Sequence, residues 1–311
     1  METKSKGYDL SIAVNDFDLS YDDVGEGRVP VIFLHGFPFD KTTWEFQLEF
    51  LKFTYRLISC DIRGFGKSTD ESKHLSIDLF TDDLIKFMDK LKIEKAIVCG
   101  LSMGGYIALN AVKRFPGRFE GLVLCDTQCM AETVEGKRKR YEVIEDIGEN
   151  GVEKFNEGFI KKVFHPDSPA NKKEIVDQLT DVVFANSQHI IIQGLKAIAE
   201  RSETCTCLDK INIPTLIMCG REDKVTPPAL SESMYVAINK SKFKIIENAG
   251  HVSNLEQPYE FSKCLSEFLG GLGGVGVESP PLKKTRILNG SESKNMNQPT
   301  WFSGFRILEK R

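Results

Sequence analysis

A serine between small residues is the strongest candidate for chemistry in this chain. It lies in GLSMG at 100–104, after an apolar run typical of a buried strand and before a segment of small apolar residues typical of a helix. A tight strand-to-helix turn there projects the Ser102 hydroxyl above the sheet, and glycines let neighbouring backbone pass closely. The alternative is a plain turn with glycine at both ends. The context favours a nucleophilic serine.

A serine nucleophile needs a base, and the chain has five histidines, at 35, 74, 165, 189 and 251. His251 follows the last strand-like run, which places it on a loop at the carboxyl edge of the predicted sheet. His35 begins the loop after the first buried run, where we interpret it as an organiser of that loop. We therefore predict that His251 is the general base.

The base in turn needs a carboxylate that orients it. Asp223 ends GRED at 220–223, after a buried run and before a helix that begins with proline. Two rivals remain: Glu222 is adjacent, and Asp126 follows the preceding strand and could also reach the site. A turn or helix-capping acid is the alternative role for Asp223. We predict Asp223 as the orienting acid.

Backbone N–H groups are the expected partners of an oxyanion at Ser102. The helix start at Met103 supplies one free N–H. The second is expected from the loop after the first buried run, and Phe37 is the best candidate, since Pro38 has no N–H to donate.

Five segments together resemble the α/β-hydrolases. They are HGFP at 35–38, DIRGFGKS at 61–68, GLSMGGYIAL at 100–109, GREDKVTPP at 220–228 and NAGHVSNLEQP at 248–258. The segments follow one another in the order typical of the superfamily, and the resemblance covers residues 1–269. The chain order Ser102, Asp223, His251 is also the order expected of that fold.

Within the superfamily, the pattern is most similar to the branch of 3-oxoadipate enol-lactonases and small carboxylesterases. Serine at the turn differs from the aspartate nucleophile of haloalkane dehalogenases and epoxide hydrolases. The resemblance implies metal-free and cofactor-free hydrolysis of a small ester or lactone. An enol-lactone with a free carboxylate would need a cation near Ser102, for which Arg63, Lys67 and the basic run at 137–140 are candidates.

The elements that must position these residues alternate between strand and helix patterns. Short continuous apolar runs suit parallel strands buried on both faces, and they lie at 29–34, 56–60, 95–100, 119–125 and 214–219. Helical patterns lie between them, as at 77–91 and 103–114, and an alternating hairpin precedes them. The pattern predicts a mostly parallel, doubly wound α/β sheet with its site at the carboxyl ends of the strands.

One long segment interrupts the alternation. Residues 127–208 contain three helical apolar faces, within 152–163, 175–183 and 190–198. We predict a helical cap at 127–208 over a core formed by 1–126 and 209–269. Residues 270–311 begin with a glycine-rich linker and have little periodicity, which predicts a disordered tail.

Composition narrows the class of protein. The net charge is −4, and because the last 42 residues hold seven Lys or Arg and three Glu, the first 269 carry −8. We therefore expect a small-molecule substrate and neither nucleic acid nor membrane as partner. No apolar signal core begins the chain, so a cytoplasmic protein is expected.

The cysteines favour neither a metal site nor a disulfide framework. Cys60, Cys99, Cys125 and Cys219 each end an apolar run and are expected to be buried. Cys205 and Cys207 form a C-x-C pair without a second pair, which makes zinc improbable.

The reaction expected is hydrolysis through an acyl-enzyme intermediate. Alternatives that use the same residues are acyl transfer, C–C bond hydrolysis and perhydrolysis, and a non-catalytic ligand-binding role is a further one. The apolar faces of the insertion favour short acyl chains of about C2 to C8, since one methylene in an apolar pocket is worth about 1–3 kcal/mol.

Overall fold

The computed structural model describes residues 6–68 and 74–272 of the 311-residue chain. Over these residues the strands are β1 Gly7–Val14, β2 Phe17–Val24, β3 Val31–Leu34, β4 Leu57–Cys60, β5 Ala96–Leu101, β6 Phe119–Cys125, β7 Thr215–Gly220 and β8 Ser241–Ile246. The α-helices are α1 Glu45–Leu51, α2 Ile77–Lys90, α3 Met103–Arg114, α4 Val134–Asn150, α5 Glu153–Val163, α6 Ser168–Asn171, α7 Lys173–Phe184, α8 Gln188–Ala199, α9 Pro228–Ala237, α10 Ser253–Glu256 and α11 Pro258–Gly270. Short 3₁₀ segments lie at Lys41–Trp44, Pro116–Arg118 and Cys205–Lys210.

The described strands form one sheet in the order β1-β2-β4-β3-β5-β6-β7-β8. The hairpin of β1 and β2 is antiparallel and joins the sheet through an antiparallel β2–β4 pair, and all other pairs are parallel. The carboxyl ends of β5, β6, β7 and β8 therefore meet at one edge. Loops from these four ends carry Ser102, Asp126, Asp223 and His251.

The sheet is buried on both faces, which explains its continuous apolar runs. In β3, Ile32 and Leu34 contact the apolar cluster on one face, and Val31 and Phe33 contact the cluster on the other. Since successive strand residues point to opposite faces, every position in such a strand must be apolar. The sequence-based prediction of a mostly parallel α/β sheet with helices on both faces is confirmed.

Helices cover both faces of the sheet, and the apolar side chains on one side of each helix pack against it. Phe80 of α2, Ile107 of α3 and Met234 of α9 pack in the cluster that contains Ile32. Leu48 of α1 and Phe261 of α11 pack in the opposite cluster. Burying each such side chain contributes about 1.5–3 kcal/mol. These helices hold the strand ends rigidly, and so they fix the loops of the site.

The segment between β6 and β7 is helical, containing α4 to α8 and the 3₁₀ segment at Cys205–Lys210. Three of its helices, α5, α7 and α8, correspond to the apolar faces seen in the sequence. The fourth long helix, α4, contains the basic run at 137–140, which was interpreted from sequence as a solvated helix face; its apolar face was not identified, because only Ile144 and Ile147 of its 17 residues are buried. We call residues 127–208 the helical insertion; that it is a separate cap domain remains a prediction.

A disulfide joins the two ends of the helical insertion. Cys129, just after β6, pairs with Cys205, 76 residues later. This pairing was not expected from the sequence. The four cysteines that end apolar runs, Cys60, Cys99, Cys125 and Cys219, are free and buried. The basic run at 137–140 lies on α4, where Lys137, Arg138 and Arg140 form ion pairs with glutamates.

The predicted disordered tail at 270–311 lies, apart from Gly270–Leu272, outside the described residues. Across the two ranges that are described, none of the helices combines the length and apolarity required to cross a bilayer.

Candidate active site

Ser102 occupies a strained turn between β5 and α3. Its φ is 51° and its ψ is −111°, a conformation that costs about 1–3 kcal/mol in a non-glycine residue. The backbone N–H of Ser102 donates to the carbonyl of Cys125 at 2.9 Å, which ties the turn to β6. A Cβ at Gly100 would lie 2.2 Å from the Gly104 carbonyl oxygen, and one at Gly104 would lie 2.2 Å from the Leu34 carbonyl oxygen. The two glycines are therefore required by close backbone approach.

Three side chains meet at this turn in a continuous chain of hydrogen bonds. The Oγ of Ser102 lies 2.8 Å from Nε2 of His251, and Nδ1 of His251 lies 2.8 Å from Oδ2 of Asp223. All three residues are buried. In the tautomer that protonates Nδ1, the ring donates to Asp223 and leaves Nε2 free to accept the serine proton.

The electrostatics of the Asp223–His251 pair favour an ionised carboxylate beside an imidazole that readily accepts a proton. Burial opposes the ionisation of Asp223, but the charge of His251 and hydrogen bonds from His251 and Thr226 outweigh it and lower the pKa of Asp223. Burial likewise opposes the protonation of His251, but the charge and hydrogen bond of Asp223 raise the pKa of His251 above 6.5.

Asp223 is itself held in place by the loop that follows β7. The backbone N–H groups of Val225 and Thr226 donate to Oδ1 at 2.7 and 3.0 Å, and the Thr226 hydroxyl donates to Oδ2 at 2.8 Å. The orienting oxygen, Oδ2, therefore has a fixed direction toward His251. Thr226 was not recognised as part of the site from sequence, where it appears only as a residue before two prolines.

The two rival acids make other contacts. Asp126 accepts from the backbone N–H of Gly220 at 2.7 Å and from the Ser253 hydroxyl at 2.6 Å. Glu222 accepts from the backbone N–H of Ala249 at 3.2 Å, and its carboxylate faces the His165 ring. Neither hydrogen-bonds the His251 imidazole, so of the three candidate acids the structure brings only Asp223 to it.

The two backbone N–H groups expected to bind an oxyanion flank Ser102. Met103 begins α3 directly after the serine, and Phe37 lines the same cavity as Ser102. A Cβ on Gly36 would lie 3.2 Å from the Cβ of Ser102, so the loop at 35–38 runs against the serine. Among the described residues, the N–H groups of Phe37 and Met103 donate to no protein acceptor.

His35 fixes that loop and does not approach Ser102 as a base. Its Nε2 accepts from the backbone N–H of Ile62 at 2.9 Å, and its Nδ1 contacts the Gly36 carbonyl at 2.8 Å. Complete burial lowers the pKa of His35 to about 4, which keeps the ring neutral. Asp61 braces the same region by accepting from the backbone N–H groups of Lys41 and Lys67.

A cavity of about 490 Å³ opens above Ser102 and His251. Its walls come from the helical insertion and from the sheet loops. The apolar lining includes Phe37, Phe155, Phe159, Leu195, Ile198 and Val225. Phe37 and Phe159 meet edge to face with ring centroids 6.2 Å apart, and Phe155 stacks on Phe159. An apolar acyl chain fits this lining.

Charged side chains also line the cavity, and all lie on α4 and α5: Arg140, Asp146, Lys154 and Lys162. Of the cations considered from sequence, only Arg140 is among them. Arg63 is buried against Asp83, and Lys67 pairs with Asp9. Lys154 and Lys162 were missed because their helix was judged by its apolar face alone.

The insertion is hydrogen-bonded to the loop that carries His251. The backbone N–H of His251 donates to the carbonyl of Val163, the last residue of α5, at 2.7 Å. Glu256 accepts from the backbone N–H of Gly250 and from that of His165. The position of the imidazole therefore depends on the insertion as well as on the core.

The family model for the α/β-hydrolase fold matches residues 29–258. This chain belongs to the α/β-hydrolase fold family. The match includes the strained serine turn, the Asp223 loop and His251, the same elements that meet in the site. The fold and the similar proteins support a hydrolase of this family.

Similar proteins include lactonases and esterases. The chain is 28% identical over 262 residues to 3-oxoadipate enol-lactonase 2 of Acinetobacter baylyi, a match that covers 82% of this chain and 94% of the relative. A thermophilic esterase from Thermogutta terrifontis superposes with a TM-score of 0.80 and 30% identity, covering 85% of this chain and 98% of the esterase. The enol-lactonase of Burkholderia xenovorans gives a TM-score of 0.78 and 25% identity over 84% and 99% of the two chains.

Within residues 6–68 and 74–272, no three His, Cys, Asp or Glu side chains are grouped so as to hold a metal ion. The absence of a metal or other cofactor from the reaction remains a prediction.

Proposed function

We propose that this α/β hydrolase cleaves small carboxylic esters or lactones through an acyl-enzyme, with Ser102 as nucleophile, His251 as general base and Asp223 as orienting acid. The observation that carries the proposal is the chain of two 2.8 Å hydrogen bonds from Asp223 through His251 to Ser102. A nucleophile, a base and an orienting group in hydrogen-bond contact are what acyl transfer by serine requires.

In the first half of the proposed reaction, the Ser102 hydroxyl attacks the carbonyl carbon while Nε2 of His251 takes its proton. The backbone N–H groups of Met103 and Phe37 stabilise the oxyanion. His251 then donates its proton to the leaving alcohol or, in a lactone, to the ring oxygen. In the second half, His251 activates water, which releases the acid and regenerates Ser102.

Asp223 has a different part in this scheme. It keeps the proton of neutral His251 on Nδ1 and stabilises the imidazolium that forms when Ser102 attacks. Its contacts with the N–H groups of Val225 and Thr226 support this role, because they keep the carboxylate ionised and aligned.

The choice of esters and lactones is supported by the relatives and by the cavity. The similar proteins are named as enol-lactonases and an esterase. A cavity of about 490 Å³ with a mostly apolar lining suits an acyl chain of about C2 to C8. Hydrolysis of 3-oxoadipate enol-lactone is the second candidate, favoured by the two enol-lactonases of Acinetobacter baylyi, which are 28% and 29% identical to this chain.

The test is a series of p-nitrophenyl esters from C2 to C16, measured beside the enol-lactone and an emulsified long-chain triglyceride. We expect kcat/KM to be greatest between C2 and C8 and triglyceride to be a poor substrate. A kcat/KM that rises through C16 with interfacial activation would identify a lipase. Added alcohols separate hydrolysis from acyl transfer, and binding without turnover would indicate a non-catalytic protein.

A further inference from the structure

Lys162 lies at the end of α5 that contacts the loop of the candidate base. It precedes Val163, whose carbonyl accepts the backbone N–H of His251 at 2.7 Å. Lys162 lines the cavity that also contains Ser102 and His251. Burial and, to a smaller degree, the positive charge of Lys162 oppose the protonation of His251, so this charge acts on the base. The backbone of Lys162 is thus held close to the His251 loop by the contact of its neighbour Val163, and its side chain lines the same cavity.

The charge of Lys162 has no counterion among the described residues, unlike the other cations of the cavity. Arg140 pairs with Glu132 at 2.7 Å, and Lys154 pairs with Asp146 at 3.3 Å. The first 269 residues carry a net charge of −8, so an anion approaching this protein meets general repulsion. An unpaired cation in the cavity that contains Ser102 and His251 is therefore a local site where an anionic group is favoured.

The spacing on α5 leaves room for such a group. Lys154, Gly158 and Lys162 follow one another at intervals of four residues, which places them on the same side of the helix. A Cβ at Gly158 would have no heavy atom within 4 Å. The cavity therefore has open space beside Lys162, between two cations about 12 Å apart along the helix axis.

We propose that the substrate is a short ester or lactone with a free carboxylate, and that Lys162 determines this specificity by pairing with the carboxylate while the carbonyl lies at Ser102. This inference rests on the proposed ester or lactone hydrolysis. Its chemistry is an ammonium–carboxylate pair formed in the same mostly apolar cavity in which the reacting carbonyl lies at Ser102.

The kinetic test compares anionic esters with neutral esters of matched length. The pairs are monomethyl adipate with methyl hexanoate, and 4-acetoxybutyrate with butyl acetate, followed by titration of the released acid. Wild type is expected to prefer the anion in at least one pair. At a pH above the acid decline of both proteins, Lys162→Gln should lower kcat/KM for that anion about 3- to 10-fold and change its neutral partner less than about twofold, as expected for a partly solvated ion pair.

Lys161→Gln is the matched control. It removes the same charge from the same turn of α5, but Lys161 does not line the cavity. It should leave both substrates unchanged. Equal losses on anionic and neutral esters in Lys162→Gln, no loss on either, or the same anion-specific loss in Lys161→Gln would each overturn the proposal.

A binding measurement separates this inference from the proposed reaction. Calorimetry with Ser102→Ala and monomethyl adipate does not depend on turnover. Adding Lys162→Gln to Ser102→Ala should weaken binding about 3- to 10-fold, whereas adding Lys161→Gln should not. If wild type hydrolyses no ester but this difference in binding is present, the hydrolase proposal fails and the anion site stands. Equal binding by all three variants would refute the anion site.

Discussion

Asp126 and Asp223 follow neighbouring parallel strands, yet only the Asp223 carboxylate contacts the His251 ring. Asp223 Oδ2 lies 2.8 Å from Nδ1 of His251, whereas Asp126 Oδ2 accepts the hydroxyl of Ser253 at 2.6 Å. Burial, and then repulsion by Asp223, raise the pKa of Asp126 to about 8. The negative charge is therefore less favourable on Asp126 than on Asp223, whose contacts with His251 and Thr226 lower its pKa and keep the charge that the imidazole needs.

Replacing these two acids by asparagine should give very different results. Asp223→Asn should lower kcat about 10²- to 10⁴-fold, because an amide favours the wrong imidazole tautomer. Asp126→Asn should be mild, since an amide can still accept from the Gly220 N–H and donate to the Ser253 oxygen. Steady-state kinetics on one short ester, with melting temperatures as a folding control, provide the comparison. A reversed order would assign the orienting role to Asp126.

The activity should fall in acid because His251 must be neutral to act as a base. Burial opposes the protonation of His251, but Asp223 raises the pKa of His251 above its usual value, so kcat/KM should decline as the pH falls through this raised pKa. Lys162→Gln removes a charge that opposes protonation and should move the decline to higher pH. A neutral ester is the appropriate substrate for this profile. A decline that moves to lower pH in Lys162→Gln, or moves equally in Lys161→Gln, would contradict the placement of this charge.

Gly158 offers a way to shorten the cavity without disturbing the core. A leucine there would enter open space and remove a helical glycine, so the fold should be retained or gain about 0.8 kcal/mol. Gly158→Leu should lower kcat/KM for a C8 ester about tenfold or more while sparing a C2 ester. Gly148→Leu is the matched control, since Gly148 also has open space but lies on α4 away from the cavity. Equal effects on C2 and C8 would mean that acyl chains bind elsewhere.

The Cys129–Cys205 disulfide predicts six titratable thiols in denatured, unreduced protein and eight after reduction. Because the bond closes a long loop at the base of the helical insertion, Cys205→Ser should destabilise the protein by about 2–4 kcal/mol. Thermal melts with and without reductant measure this effect. Eight thiols before reduction would show that the two cysteines do not pair. The expected cytoplasmic location remains a prediction, and a persistent disulfide would argue against it.

The core of the fold was predictable because buried strands and helices have characteristic patterns of apolar residues in the sequence. β6 was predicted at 119–125 and forms at Phe119–Cys125, since a strand buried on both faces must be apolar throughout. The site was predictable for a related reason. Functional side chains of an α/β sheet usually lie at the carboxyl ends of its strands. This rule predicted that Ser102, Asp223 and His251 lie close together, and in the structure they form a chain of hydrogen bonds.

The helical insertion was less predictable because its contacts join distant parts of the chain. α4 buries only Ile144 and Ile147, which leaves little apolar periodicity to detect. The pairing of Cys129 with Cys205 depends on how the insertion begins and ends in space. The place of Lys162 depends on the contact between Val163 and His251, which no local pattern records.

Labelling with a fluorophosphonate probe tests the central claim most directly, because such a probe reacts with a serine only when a neighbouring base activates it. Wild-type protein should be modified once, at Ser102, as mapped by mass spectrometry of its peptides. Ser102→Ala should fold normally, remain unlabelled and lose about 10⁴-fold or more of its activity on short esters. Labelling of a different serine, or wild-type turnover by Ser102→Ala, would contradict the account.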